Sequence, residues 1–319
     1  MNSHGFEGLE AWIGRTRVAS AVIDARQAEL MNATMEGRVS ERGLCNLVEG
    51  SPLPFGWHWL WFADAFPAGK LGRDGHPARG DFMPPIPLPR RMWAGSRISF
   101  HHPLQIGMTA SRKTTITSIA AKTGRSGDLV FLTMLHEISE GDTMLITEEQ
   151  DLVYRTDPTP DAPAPVQQQP PSRDMTTLSR QVHPDPVWMF RYSALTFNGH
   201  RIHYDADYAR KVEGYRGIVF HAPLTATLLM DIAGEKLGDR KMASFAFRAV
   251  SPLFQDAAFM IHAKSDGSTA TAWAETPGGA LALTATASLQ ASIAAPEYRA
   301  CNDQNGHDLK PSQEHQHDQ

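Results

Sequence analysis

The sequence predicts an α+β protein made of two similar halves, each a helix followed by four antiparallel strands. Three observations carry this. The second half shows one broad apolar helical face and then four strand-like runs, the first half repeats that order, and a proline-rich stretch divides the two.

In chain order, a helix-like run begins near Ser51-Pro52-Leu53, followed by strand-like runs at 96–101, 108–119, 128–137 and 144–155. An insertion at about 67–93, rich in Gly, Pro and Arg, separates that helix from its strands. The glycine-rich stretch from Lys122 to Gly127 lies between two strand-like runs with no helix after it. That makes it a hairpin turn and not a phosphate loop. Residues 157–175 carry too many prolines for a helix or a central strand, so they are expected to form an extended, solvated linker.

The second half has a short strand at 217–220, then a helix with Leu224, Leu228, Leu229 and Ile232 on one apolar face. Pro223 suits its first turn, where a missing N–H costs nothing, and Gly238 suits its exit. Strand-like runs follow at 244–250, 257–264, 269–275 and 280–290. Phe100-His101-His102-Pro103-Leu104 stands at the same stage of the first half as Val250-Ser251-Pro252-Leu253 does of the second. One helix against an antiparallel meander is the layout of a hot-dog domain. The expected fold is therefore a double hot dog, two antiparallel sheets each wrapping a central helix. Its parts are an N-terminal domain at 1–156, the linker at 157–175, a C-terminal domain at 176–298 and a disordered tail at 299–319.

Composition narrows the function classes. With 319 residues, 41% hydrophobic and 20% charged, the chain can bury a sizeable core, and its formal charge of -5 gives no footprint for nucleic acid or anionic membrane. Cys45 and Cys301 follow no metal or redox spacing, which points to a reducing compartment, and no secretory signal or membrane span is visible. A cytoplasmic protein is expected. His315 and His317 in the tail read as solvated residues before metal ligands.

The chemistry is concentrated between Asn198 and His203, where an amide, two imidazoles (His200 and His203) and a guanidinium (Arg201) fall within six residues behind the aromatic lead-in at Tyr192. A neutral imidazole at His203 can accept a proton from water near pH 7. The amide of Asn198 can hold that water but cannot exchange protons. The competing reading is a loop whose histidines satisfy buried carbonyls. Asp205, two residues beyond His203, can either supply a proton or cap a short helix starting near Ala206.

This spacing resembles the hydratase signature of the MaoC-like (R)-specific enoyl-CoA hydratases, Thr-Gly-Asp-x-Asn-Pro-x-His, with Asn198 at the Asp position and His203 at the His. The chain is more closely similar to the two-domain branch: hydroxyacyl-thioester dehydratases and the mesaconyl-CoA and itaconyl-CoA hydratases. The matching stretches are Leu195 to Tyr204, Arg91-Met92-Trp93-Ala94-Gly95, Gly124-Arg125-Ser126-Gly127 and the strand from Glu148 to Arg155, so the likeness spans about 40–295.

The resemblance implies reversible addition of water to a 2-enoyl-CoA thioester by Asn198, His203 and the backbone N–H of Ala222, the last binding the thioester oxygen at a helix N-terminus. Loss of the Asp leaves the proton donor to C2 open. A short branched dicarboxyl acyl group of the mesaconyl or itaconyl type needs an extra cation, for which Arg201 and Arg248 are candidates, and His221 is a candidate substrate contact. Arg90 and Arg91 can reach coenzyme A phosphates or lie in a solvated loop. The motif occurs once, so one site per chain is expected, with no metal or redox cofactor and with a homodimer as the assembly. The alternatives are a dehydratase acting on longer 3-hydroxyacyl chains, a hot-dog thioesterase, and an acyl-CoA binding module.

Overall fold

The computed structural model describes residues 6–40, 47–124, 127–158, 166–238 and 242–289. Both cysteines, the expected tail, residues 159–165 of the linker and residues 125–126 of the 122–127 turn lie outside the described residues. In the first half come β1 (Thr16–Val22), α1 (Ala25–Met35), β2 (Arg90–Phe100), β3 (Thr109–Gly124), β4 (Gly127–Glu140) and β5 (Thr143–Arg155). In the second come β6 (Leu178–Val182), α2 (Pro186–Leu195), α3 (Ala206–Lys211), α4 (Ala222–Leu237), β7 (Met242–Ala249), β8 (Phe259–Ser265), β9 (Thr269–Glu275) and β10 (Leu281–Leu289). The eight strands read from sequence are β2 to β5 and β7 to β10. The short strand expected at 217–220 is a single bridge, Val219 to Phe254.

All ten strands join one antiparallel sheet, in the order β1-β3-β4-β5-β2-β7-β10-β9-β8-β6. This corrects the expectation of two sheets: β2 and β7, the inner edges of the halves, pair from Gly95–Arg248 to Ser99–Ser244 and remove both edges. Each half has the same internal order, and irregular contacts repeat as well. Leu53 N donates to Leu104 O at 2.7 Å as Phe220 N does to Leu253 O at 2.8 Å. His101 and His102 donate to Leu145 O as Val250 and Ser251 donate to Ala282 O. Both α1 and α2 follow an outer strand and are N-capped by an aspartate, Asp24 accepting from Gln27 N and Asp185 from Trp188 N.

The halves differ where a central helix belongs. In the second, α4 runs sixteen residues from Ala222 with Pro223 in its first turn. Leu224, Leu228, Leu229 and Ile232 are wholly buried in one cluster with Ile261, Ala263, Ala272, Ala274, Leu283 and Ala285 of the sheet. Each such leucine or isoleucine stabilises the fold by roughly 1.5–3 kcal/mol, and the alanines let the helix approach closely. In the first half the expected helix near Ser51 is absent, and two short 3₁₀ turns form instead, Trp57–Leu60 and Ala68–Lys70. Pro52, Pro54 and a left-handed Gly56 (φ 82°) break any α-helix there. Otherwise irregular chain fills the interval up to β2, which starts at Arg90 inside the stretch read as an insertion.

The seam between halves depends on Gly95, because a Cβ there would stand 2.2 Å from Phe247 O on β7. Gly95→Ala is expected to cost about 1–3 kcal/mol of overpacking and to lower the melting temperature by roughly 3–10 °C. An unchanged thermal melt would show that the seam tolerates the added methyl group.

Candidate active site

The missing first-half helix leaves a cavity of about 850 Å³, lined by the sheet of the first half on one side and by Asn198, His203, Val219 and Ala222 on the other. The motif sits on the connection between α2 and α3. Phe197 ends α2 in a left-handed conformation (φ 50°), and a 3₁₀ turn spans Arg201–His203. Asp205 caps α3, accepting from Tyr208 N at 2.9 Å, and also receives Arg201 Nη2 at 2.7 Å. That fixes the capping role for Asp205 over the acidic one.

The hydrogen bonds decide what each group can do. His203 Nδ1 lies 2.8 Å from Val219 O, and a carbonyl only accepts, so Nδ1 carries the proton and Nε2 is left as a lone-pair base. Burial, then the neighbouring His221 and His200, hold the His203 imidazole well below the usual range, so it is neutral at physiological pH. His221 stacks on His203 with ring centroids 3.8 Å apart, and Ser193 Oγ holds His221 Nε2 at 2.8 Å. Asn198 Oδ1 accepts from His200 N at 3.0 Å, which directs its function toward its free amide Nδ2–H donors. Ala222 opens α4 directly after His221, so its N–H belongs to the first turn, where helix donors have no intrahelical acceptor. His203, the Asn198 amide and the first turn of α4 at Ala222 therefore line one cavity.

The first-half loop closes over the motif. Asp74 O accepts from Arg201 N at 2.9 Å, and Gly75 (φ 85°) passes so close to Gly199 that a Cβ would stand 2.0 Å from Gly199 O. The loop brings His76 against His200, centroids 4.3 Å apart, with His76 Nδ1 donating to Asp74 Oδ2 at 3.2 Å. Burial and Arg91 push His76 down to about 3. Asp74, His76 and His200 have potential ligand atoms within 4.8 Å of one another, the one such group among the described residues. The Asp–His hydrogen bond already uses part of that capacity.

Of the residues singled out from sequence, Asn198, His203 and Ala222 converge on the cavity. His221, a candidate substrate contact from sequence, is instead fully buried behind His203, stacked on its ring and not lining the cavity. Arg201 turns to Asp205 and the Tyr208 ring and borders a separate surface depression. Arg248 is exposed on β7, beside Gln168, on the sheet face opposite Phe247. Arg90 is buried in an ion pair with Glu213 at 3.0 Å, and Arg91 lines the cavity.

A sequence model of one family, described as hydroxyacyl-thioester dehydratase type 2, matches residues 56–255. The chain belongs to that family. It is 47% identical over 280 residues to the mesaconyl-C(4)-CoA hydratase of Chloroflexus aurantiacus, covering 88% of this chain and 97% of the relative. It is 27% identical to the mitochondrial hydroxyacyl-thioester dehydratase type 2 of Schizosaccharomyces pombe, over 70% of this chain and 82% of that one. Among solved structures it is similar to a MaoC-like dehydratase of Phytophthora capsici, with a TM-score of 0.65, 14% identity and coverage of 93% and 100% of the two chains. A Mycobacterium tuberculosis protein with a double hot-dog fold aligns with a TM-score of 0.51 and 14% identity over 87% of this chain and 96% of that one. The fold is thus a double hot dog built on one continuous sheet.

Sequence reasoning missed the polar first-half lining, Arg112, Thr114, His136 and Gln150 among it. His136 carried a signal: it interrupts the alternation Val130, Leu132, Met134, Ile138 on β4, all of which face inward.

Because the folded-state pKa of His203 is depressed, its neutral form persists as pH falls through the ordinary imidazole value of about 6.5. The acid limb of kcat/KM is therefore expected below 6.5 wherever circular dichroism shows the chain folded. A limb at or above 6.5 would place the base in an exposed, unshifted environment.

Proposed function

We propose that this protein adds water reversibly across the double bond of a 2-enoyl-CoA thioester, with a short branched dicarboxyl acyl group of the mesaconyl type as substrate. The observation that carries the reading is the convergence of His203 Nε2, the Asn198 amide and the Ala222 N–H on one cavity. The likeness to a mesaconyl-C(4)-CoA hydratase over nearly its full length supports the acyl class.

In hydration, the Asn198 Nδ2–H donates to a water whose own proton points at His203 Nε2. The water oxygen bonds to C3 as that proton moves to His203, and the π electrons of the double bond shift toward the thioester oxygen. The Ala222 N–H and the positive end of α4 receive that charge. The imidazolium, steadied by its Nδ1–H bond to Val219 O, then protonates C2. One residue thus both takes and returns the proton, which offsets the missing aspartate and places both additions on the same face. Dehydration is the reverse.

A single motif implies one site per chain, with the first half shaping the acyl pocket. A second reading, dehydration of longer 3-hydroxyacyl thioesters, is favoured by the cavity volume and by the family name. An amide in place of a carboxylate weighs against a thioesterase.

The test follows the enoyl-thioester absorbance with crotonyl-CoA, mesaconyl-CoA and itaconyl-CoA. His203→Ala is expected to lower kcat about 10²–10⁴-fold, and Asn198→Ala about 10–10²-fold through lost positioning of the water. Unchanged turnover in His203→Ala would remove the proposed base, and release of free thiol would mean hydrolysis.

A further inference from the structure

The two halves can be laid on each other strand by strand, since their ladders share one register. Arg112 pairs with Ile138 and Ile138 with Ile146, as Ile261 pairs with Ala274 and Ala274 with Leu283. On this superposition Arg112 stands where Ile261 does, Thr114 where Ala263 does and His136 where Ala272 does. Likewise Glu148 and Gln150 occupy the places of Ala285 and Ala287. The second-half residues form the dry seat of α4. In the first half a polar belt crosses β3, β4 and β5 between two apolar clusters, one containing Ala110, Ile138 and Ile146 and the other Ile116, Met134 and Leu152. Polar groups on the cavity face of a sheet are costly unless paired, so each one's partners indicate its purpose.

Most of the belt satisfies itself. Glu148 accepts from His58 Nε2 at 3.1 Å, Trp59 Nε1 at 2.9 Å and Ser96 Oγ at 2.6 Å. His136 Nε2 bonds Gln150 Oε1 at 3.2 Å and its Nδ1 bonds Thr114 Oγ1 at 2.8 Å. Arg112 differs. Its Nη2 donates to Phe62 O at 2.9 Å, its Nε is buried with no hydrogen-bond partner, and no carboxylate among the described residues forms an ion pair with it. The nearby Asp64 is taken by Arg17. A guanidinium offers five donors in a planar fork suited to a carboxylate, and this one lines the cavity with most of that capacity unused.

We propose that Arg112 is the counter-ion for a carboxylate carried by the acyl group, and so sets the enzyme's choice of dicarboxyl over neutral acyl thioesters. The inference rests on the hydratase reading for its catalytic consequence, but binding alone can test it. It moves the extra cation from Arg201 and Arg248, which face away from the cavity, to a strand of the first half that sequence gave no reason to single out. Gln150, on the same belt, accepts from His136 through Oε1, so its Nε2 amide can donate to the carboxylate without adding charge.

The experiment measures Kd for succinyl-CoA and butyryl-CoA, unreactive esters of equal chain length that differ in the terminal carboxylate. It uses the full chain, with Arg112→Gln and Arg112→Lys beside the wild type, and thermal melts confirm folding of each. Loss of charge-assisted hydrogen bonds is worth about 1.5–3 kcal/mol, so Arg112→Gln is expected to weaken succinyl-CoA about 10–100-fold and butyryl-CoA at least ten times less. Arg112→Lys should fall between. The same ratio is expected in kcat/KM for mesaconyl-CoA against crotonyl-CoA. Equal weakening of both esters would reduce Arg112 to a structural role, and no weakening of succinyl-CoA would overturn the proposal. If the wild type hydrates neither enoyl ester, the hydratase reading fails, while the Kd pair still decides for or against Arg112.

Discussion

The constraint on which the structure depends is that one face of a ten-stranded sheet must be covered, and among the described residues only one long helix covers it. Pairing of β2 with β7 makes the sheet continuous and leaves no inner edge, so the two faces on offer lie side by side. Over the second half the covering is complete: alanines on β8, β9 and β10 seat α4 at close range. Over the first half Pro52, Pro54 and Gly56 forbid the equivalent helix, and a loop covers the rim while the centre stays hollow. The cavity follows from the same repeat that built the core.

The position of the motif follows from that asymmetry. It leads into α4, so the helix N-terminus, the carbonyl of Val219 and the His203 ring reach the cavity wall together. The carbonyl fixes the tautomer of His203, His221 supports its ring from behind, and burial keeps it neutral. Each of these acts on orientation or protonation state before any substrate arrives, which is where preorganised sites gain most of their rate. The loop carrying Gly75 ties the first half to the motif, so the two repeats share one site.

Much of this was legible in the sequence because periodicity and turn chemistry act locally. Eight strands and the helix with Pro223 and Gly238 at its ends follow from spacing along the chain, whereas Asn198, His203 and Ala222 were singled out through the likeness to the hydratase signature. What the sequence hid depends on pairing across the sheet. The order β5-β2-β7-β10 cannot be read from alternation, since an edge strand and a central strand look alike. Arg112 and Lys113 are adjacent charges, and only the register shows that Arg112 faces the cavity while Lys113 faces solvent with Glu137. Arg201 and Arg248 were the candidate extra cations, yet Asp205 holds the first and strand alternation turns the second outward. The helix expected near Ser51 does not form because Pro52, Pro54 and the left-handed Gly56 break it.

The measurement that tests the central claim most directly is the fate of isotopically labelled water during turnover of crotonyl-CoA, read by mass spectrometry of the CoA ester. The account predicts an intact thioester with one heavy oxygen as a hydroxyl on C3, together with one solvent-derived hydrogen on C2. Label in a free carboxylic acid with release of coenzyme A would show attack at the thioester carbonyl and contradict it.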